Sequence, residues 1–262
     1  MRARSIEGFV GCFGHRGAAG IFPENTLEGF ALAASIGVDV IETDAHVTRD
    51  GRVVLIHDPT VDRTTDGAGP VASLSLSELA SLDAGARFID RDGAAVFRGC
   101  GLRVPTLEQA LSSLPAHRFN IELKSAEPGA ARVFADALVR AEAQDRVLLA
   151  AERSDVMFEL RREAPWAPTS FSADEVLAFV GAMDDRDYAP PPACALQVPH
   201  WYGEFELVNE RFIARAREFG LAVHAWTINA PDAMRTLIAR GCDGVFTDHP
   251  ERWVAARPRA PR

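Results

Sequence analysis

Two short apolar runs, Phe9-Val-Gly-Cys-Phe13 and Val38-Asp-Val-Ile-Glu-Thr43, enclose the segment Asn25-Thr-Leu-Glu-Gly-Phe-Ala-Leu-Ala-Ala-Ser-Ile-Gly37. The two runs are strand-like. Between them, Leu27, Phe30, Ala31, Ala34 and Val38 recur at helical spacing, as one apolar face of a helix requires. Asn25, three residues before Glu28, resembles a capping box, and Gly37 is a C-terminal stop. The stretch therefore predicts strand, helix, strand.

The same alternation continues outward. His46–Thr48 and Val53–Ile56 flank Arg49-Asp50-Gly51, and Asp-Gly between apolar strands is a hairpin signal. Residues 59–105 are looser and glycine-rich, with one capping box at Ser75-Leu-Ser-Glu78 opening a short helix that carries Leu79 and Leu82. We read this segment as an excursion on a rim, too small for a domain. Regular alternation then resumes. Strands are expected at Phe119–Leu123, Val147–Ala151, Thr169–Phe171, Ala195–Val198, Leu221–Trp226 and Gly244–Thr247. The helices between them include ones opened by Thr106-Leu-Glu-Gln109, Ser172-Ala-Asp-Glu175 and Pro231.

Eight strands, most followed by helices, in about 250 residues fit a single TIM (β/α)8 barrel with a small insertion after the second strand region. A doubly wound open sheet is the alternative. The domain reading is one unit over residues 1–262. In a barrel the last strand pairs with the first, so Cys12 and Cys242 would be neighbours. With no CxxC pair among Cys12, Cys100, Cys194 and Cys242, reduced packing cysteines are the expectation.

Composition narrows the functional classes. The 262 residues carry a net charge of −9, with 47% hydrophobic and 25% charged residues. That is ordinary for a globular protein, and the acidity argues against non-specific nucleic-acid binding, which needs basic surface. No apolar run approaches the roughly 20 residues of a membrane helix. The start, MRARSIEGFVGCFGHRG, has no apolar core of the kind a secretory leader carries, so a cytoplasmic location without stable membrane insertion is expected. Composition leaves the oligomeric state open.

In a TIM barrel the active site gathers at the C-terminal ends of the strands, where this chain places its unusual polar residues. Glu42 and Asp44 are two apart on a strand and so share a face; Glu122 ends the next main strand. Three converging carboxylates repel one another in a low-dielectric mouth, and one hard divalent cation, Mg²⁺ or Ca²⁺, would resolve this with oxygen ligands. The bland reading makes them rim charges paired with Arg16 or Lys124. His15 and His57 also fall at strand ends. Each alone reads as a structural histidine, but flanking a carboxylate cluster they suit general acid–base work. Arg16 and Lys124 would hold an anionic oxygen. Trp226 would wall the substrate pocket, with core packing as its bland reading. His46, Cys100, His117, His200 and His224 are read as structural.

The segments Gly14-His-Arg-Gly17, Pro23-Glu-Asn-Thr26, Glu42-Thr-Asp44, His57-Asp58, Asn120-Ile-Glu-Leu-Lys124, Trp226-Thr-Ile-Asn229 and Thr247-Asp-His-Pro250 resemble, in order, those of the glycerophosphodiester phosphodiesterases. Residues 14–58 carry the most specific part of the likeness. The resemblance implies metal binding by Glu42, Asp44 and Glu122, acid–base catalysis by His15 and His57, and phosphate contacts from Arg16 and Lys124. The implied reaction converts a glycerophosphodiester into glycerol 3-phosphate and an alcohol, through attack by a neighbouring glycerol hydroxyl, giving a cyclic phosphate that water then opens, or through direct attack by water. A phospholipase D-like lyase acting on lysophospholipids and a non-catalytic phosphate-ligand barrel are the alternatives.

Overall fold

The structure, a computed structural model, describes residues 7–256. The leader reading rests partly on residues 1–6, which lie outside this range. Seven parallel strands form the main sheet. In spatial order they are β5 (Val147–Ala150), β4 (Arg118–Leu123), β2 (Val40–Val47), β1 (Gly11–Gly14), β10 (Gly244–Thr247), β9 (Ala222–Trp226) and β6 (Ala195–Pro199). Thr169 bridges to Leu149 of β5 and Ser170 to Ala195 of β6, both in parallel. The two bridges close the ring, so the expected strand at 169–171 is present as an eighth, minimal stave. With β1 paired to β10, Cys12 opposite Val245, and the edge strands β5 and β6 joined through these bridges, the open-sheet alternative is excluded.

The helices follow the strands: α1 (Leu27–Ile36), α2 (Leu76–Leu79), α3 (Leu107–Ser113), α4 (Ala130–Arg140), α5 (Ser154–Glu163), α6 (Ala173–Gly181), α7 (Glu210–Glu218), α8 (Pro231–Arg240) and α9 (Pro250–Ala256). The capping box at Ser75 forms as read, and the helices opened at Thr106 and Ser172 carry capping boxes as well. Gly37 ends α1 at φ +97°, a left-handed conformation that glycine adopts without steric cost. The cap of α1 differs from expectation. Thr26, not Asn25, accepts the Gly29 N–H, at 3.1 Å, because Asn25 is turned left-handed and its side chain is committed elsewhere. The helix opened by Ser75 stops at Leu79, so Leu82 lies beyond it.

Strand periodicity sorts the interior. Ile41, Ala45, Ile121 and Leu123 face the helices, packed with Phe30, Phe134 and Leu138. Phe13, Val40, Leu148 and Phe246 fill the inside of the barrel. Glu42 and Asp44 share the Val40 side of β2, which aims both into the barrel mouth. Above the apolar layer, Gln197 Nε2 donates to Asn120 Oδ1 at 2.7 Å and lies 3.3 Å from His224 Nδ1.

The expected strands at 38–43 and 46–48 are one continuous strand, β2, running through Asp44. β3 (Val53–Leu55) pairs with its far end in the expected antiparallel hairpin. The excursion has a small core of its own, including Val61, Val71, Leu79 and Leu102. Its return is tied to β3 by the Leu55 N–H, which donates to Pro105 O at 2.9 Å. A second hairpin, β7 (Trp201–Tyr202) with β8 (Phe205–Glu206), was not anticipated. All four cysteines are free, and only Cys100 is exposed. Among the described residues no helix is long and apolar enough to cross a membrane.

Candidate active site

The turn after β1 builds one side of the site. Arg16 adopts φ +51° and Gly17 φ +88°. A Cβ on Gly17 would meet the Gly29 carbonyl carbon at 3.0 Å, so both conformation and space call for glycine here. The turn brings the Arg16 backbone N–H to Glu42 Oε2 at 2.8 Å. It also sets His15 Nδ1 2.6 Å from Asp248 Oδ1, at the end of β10, and His15 Nε2 4.0 Å from Glu42. Asn229 Nδ2 donates to the other Asp248 oxygen at 2.8 Å. Burial alone would lower the His15 pKa, but the Asp248 hydrogen bond and the Glu42 charge outweigh it and hold the ring above its ordinary value.

The carboxylates come next. Asp44 stands directly opposite Glu122 in the β2–β4 register. The Lys124 ammonium lies 2.8 Å from Glu122 and 3.5 Å from Asp44. Asn25 Nδ2 donates to Asp44 Oδ2 at 3.1 Å, while its carbonyl accepts from Thr43 Oγ1 at 2.7 Å. Burial would raise Asp44, but Lys124 and Arg16 hold it below the usual carboxylate range. Glu42 has less compensation, and burial with the Asp44 charge pushes it up to about 7. Burial also raises Glu122, against the opposing pull of Lys124.

His57 follows β3 and the Ile56 N–H bond to Asp44 O. Its Nδ1 lies 2.7 Å from Asp58 Oδ1, and its carbonyl accepts from His46 Nε2 at 3.1 Å. Both candidate histidines are thus oriented through Nδ1 by an aspartate, which leaves Nε2 for other chemistry. Arg16 Nη1 donates to Glu24 at 3.2 Å. Its Nε is buried 3.4 Å from Asp44 without donating a hydrogen bond among the described residues, a donor suited to an incoming anionic oxygen.

The predicted residues His15, Arg16, Glu42, Asp44, Glu122 and Lys124 are therefore brought into one connected cluster, and His57 joins it through side-chain bridges. Trp226 stands apart. It is exposed and walls a cavity of about 330 Å³ with Pro199, His200, Trp201 and Ile228. Asn229 lines that cavity and also binds Asp248, so the cavity adjoins the His15 side. Sequence reasoning assigned no role to Asp248 or Asp58 and gave Asn25 only a helix cap, although each lies inside a quoted motif. Arg63 had no signal.

Among the described residues no three His, Cys, Asp or Glu side chains are gathered closely enough to form a metal site as they stand. The donor chemistry nonetheless suits a hard cation. Six carboxylates (Glu24, Glu42, Asp44, Asp58, Glu122 and Asp248) face three permanent cations, Arg16, Arg63 and Lys124. The excess is concentrated at Glu42 and Glu122, whose protonation is favoured by burial. All-oxygen donors of this kind fit Mg²⁺ or Ca²⁺ rather than zinc.

Residues 15–252 match the model of the glycerophosphoryl diester phosphodiesterase family. A glycerophosphodiester phosphodiesterase of Caldanaerobacter subterraneus subsp. tengcongensis is 30% identical over 92% of this chain and 94% of its own length. The glycerophosphoryl diester phosphodiesterase domain of an uncharacterized Mycobacterium tuberculosis protein superposes with a TM-score of 0.83 at 24% identity, covering 92% of this chain and 97% of that one. An Oleispira antarctica phosphodiesterase solved with the product sn-glycerol-3-phosphate has a TM-score of 0.77 at 24% identity, covering 97% and 99%.

Proposed function

Because the chain belongs to the glycerophosphoryl diester phosphodiesterase family, we propose that it hydrolyses deacylated glycerophosphodiesters to glycerol 3-phosphate and an alcohol, as one barrel domain in the cytoplasm. The observation that carries the reading is the pairing of two aspartate-oriented histidines with a buried cluster of carboxylates and cations at the barrel mouth. Arg16 and Lys124 bind the phosphoryl oxygens, which draws Lys124 off Glu122. Glu42, Asp44 and Glu122 would hold the divalent cation. When bound, such an ion supplies Lewis-acid polarisation of the phosphoryl group.

One histidine takes a proton from the attacking hydroxyl, and the other gives a proton to the leaving alkoxide through its Nε2; where the attacker is the glycerol's own hydroxyl, water then opens the cyclic phosphate. Trp226 walls the pocket for one ester arm. The test is a screen of glycerophosphodiesters, with Mg²⁺ or Ca²⁺ present, read by glycerol 3-phosphate release. Release from glycerophosphocholine or glycerophosphoethanolamine is expected. Tight binding without turnover of any diester would overturn the reading in favour of a binding barrel, and accumulation of a cyclic phosphate as the final product would make the protein a lyase.

A further inference from the structure

Arg63 belongs to the excursion and has no place in the machinery proposed above, yet it makes four side-chain hydrogen bonds to two carboxylates. Its Nε and Nη2 donate to the two Asp58 oxygens at 2.7 and 3.1 Å. Its Nη1 and Nη2 donate to the two Glu24 oxygens, both at 2.8 Å. Both edges of the planar guanidinium are therefore in use. Asp58 in turn holds His57 Nδ1, and Glu24 holds Arg16 Nη1.

The base beneath Arg63 is stiff. Val61 is fully buried, and its N–H donates to Gly69 O at 3.0 Å. The Val71 N–H donates to Pro59 O at 2.9 Å, the Gly69 N–H donates to Asp62 Oδ2 at 2.9 Å, and Thr60 bridges to Pro70. The segment 59–71 is thus closed on itself and presents Arg63 at a set height over the mouth.

Stability does not account for the arrangement. The Arg63 side chain is nearly half exposed, and ion pairs of that kind contribute little to stability. Geometry does account for it, because a bidentate fork fixes a carboxylate in two directions at once. We propose that Arg63 is a positioning residue that sets the His57 imidazole and the Arg16 guanidinium together, by clamping Asp58 and Glu24 with one fork. The proposal rests on the roles given to His57 and Arg16, and it assigns the excursion a task, which is to carry the clamp. A lysine at 63 keeps the charge but cannot hold two carboxylates by both edges. Charge balance and positioning therefore separate in the variant Arg63→Lys.

The experiment compares wild type, Arg63→Lys and Arg63→Gln in three readouts: histidine ring ¹⁵N resonances, kcat and KM on glycerophosphocholine, and thermal unfolding. The His57 resonances should shift in both variants while those of His15, held by Asp248, stay in place. Arg63→Lys should lose on the order of 10–10²-fold in kcat/KM, the scale of a small misplacement, with its Tm within a few degrees of wild type. Wild-type kinetics in Arg63→Lys would leave only a charge role and overturn the proposal. So would unchanged His57 resonances, or equal shifts of both histidines. If the wild-type protein turned over no glycerophosphodiester, the functional reading would fail, and the ring resonances would still decide whether Arg63 sets His57.

Discussion

Asp248 Oδ1 meets His15 Nδ1 at 2.6 Å across 233 positions of sequence. The contact exists because β1 and β10 are neighbours in the closed ring, so the two strand ends rise side by side. An aspartate at Nδ1 selects the tautomer and stabilises the imidazolium formed when the ring takes up a proton. Asp248→Asn should therefore lower kcat by about 10²–10⁴-fold, the usual scale for losing acid–base catalysis. His15→Ala should fall in the same range, and the double variant should lose little more, since members of one catalytic unit are not additive. Steady-state kinetics on the three variants checks this, and multiplying losses would separate Asp248 from His15.

The carboxylate cluster carries a second expectation, with opposite signs for two measurements. Glu42 sits buried beside Asp44, which together push its carboxyl up to about 7. Glu42→Gln removes that like-charge conflict and can still accept the Arg16 N–H. Without divalent ions the variant should unfold at the same temperature as wild type or higher. With Mg²⁺ or Ca²⁺ the wild type should gain more in Tm than the variant, because binding to the folded state alone stabilises it by mass action. EDTA should abolish activity. Full turnover in metal-free protein would remove the cation from the proposed mechanism.

His224 provides a pH expectation away from the site. It is fully buried against Phe13 and Phe246, and burial pushes its pKa down from 6.5 to about 4. Between those values the unfolded chain binds a proton that the folded protein does not. The stabilising contribution is thus complete above about 6.5 and is lost as pH falls toward 4, by about 1.4 kcal/mol per pH unit. The total is roughly 3 kcal/mol. His224→Gln keeps a polar partner for Gln197 but does not titrate. Denaturant unfolding at pH 7 and pH 5 should show a smaller acid loss in the variant than in wild type.

Those residues differ in how far sequence alone exposes them. The barrel was legible because each strand and helix announces itself locally, through period-2 or period-3.6 burial and through caps such as Thr106 and Ser172. The aim of Glu42 and Asp44 followed from the strand period, although the strand proved longer than either run that suggested it. Partnerships were less legible. Asn25 reads as a helix cap in one dimension, but in the fold its amide is worth more against Asp44 and Thr43, so the cap passes to Thr26. Asp248 and Arg63 depend on which loops meet across the mouth, and no local pattern records that. The β7–β8 hairpin has strands of two residues each, too short to show a period.

The substrate reading yields the last expectation. Arg16 and Lys124 are the cations beside Asp44 and Glu122, and they would address the phosphate common to all glycerophosphodiesters. Among the described residues, the cavity walled by Trp226 and Trp201 is lined by no Lys, Arg, Asp or Glu. An ester arm placed there meets aromatic and aliphatic surface, which ranks alcohols by fit rather than by a charge match. Head-group selectivity should therefore be loose, and Trp226→Ala should raise KM more than it lowers kcat, since the indole would touch an arm and not the reacting atoms. The glycerol arm differs if its own hydroxyl is the attacking group, because the histidine that accepts a proton then has a single proton to take. Removing that hydroxyl would abolish turnover while leaving the phosphodiester and its binding intact. The informative comparison is glycerophosphocholine, its 2-deoxy analogue and bis(p-nitrophenyl) phosphate. Cleavage of the first alone, with the deoxy analogue acting as a competitive inhibitor, is the expected result. Equal cleavage of all three would replace the neighbouring hydroxyl with water as the nucleophile.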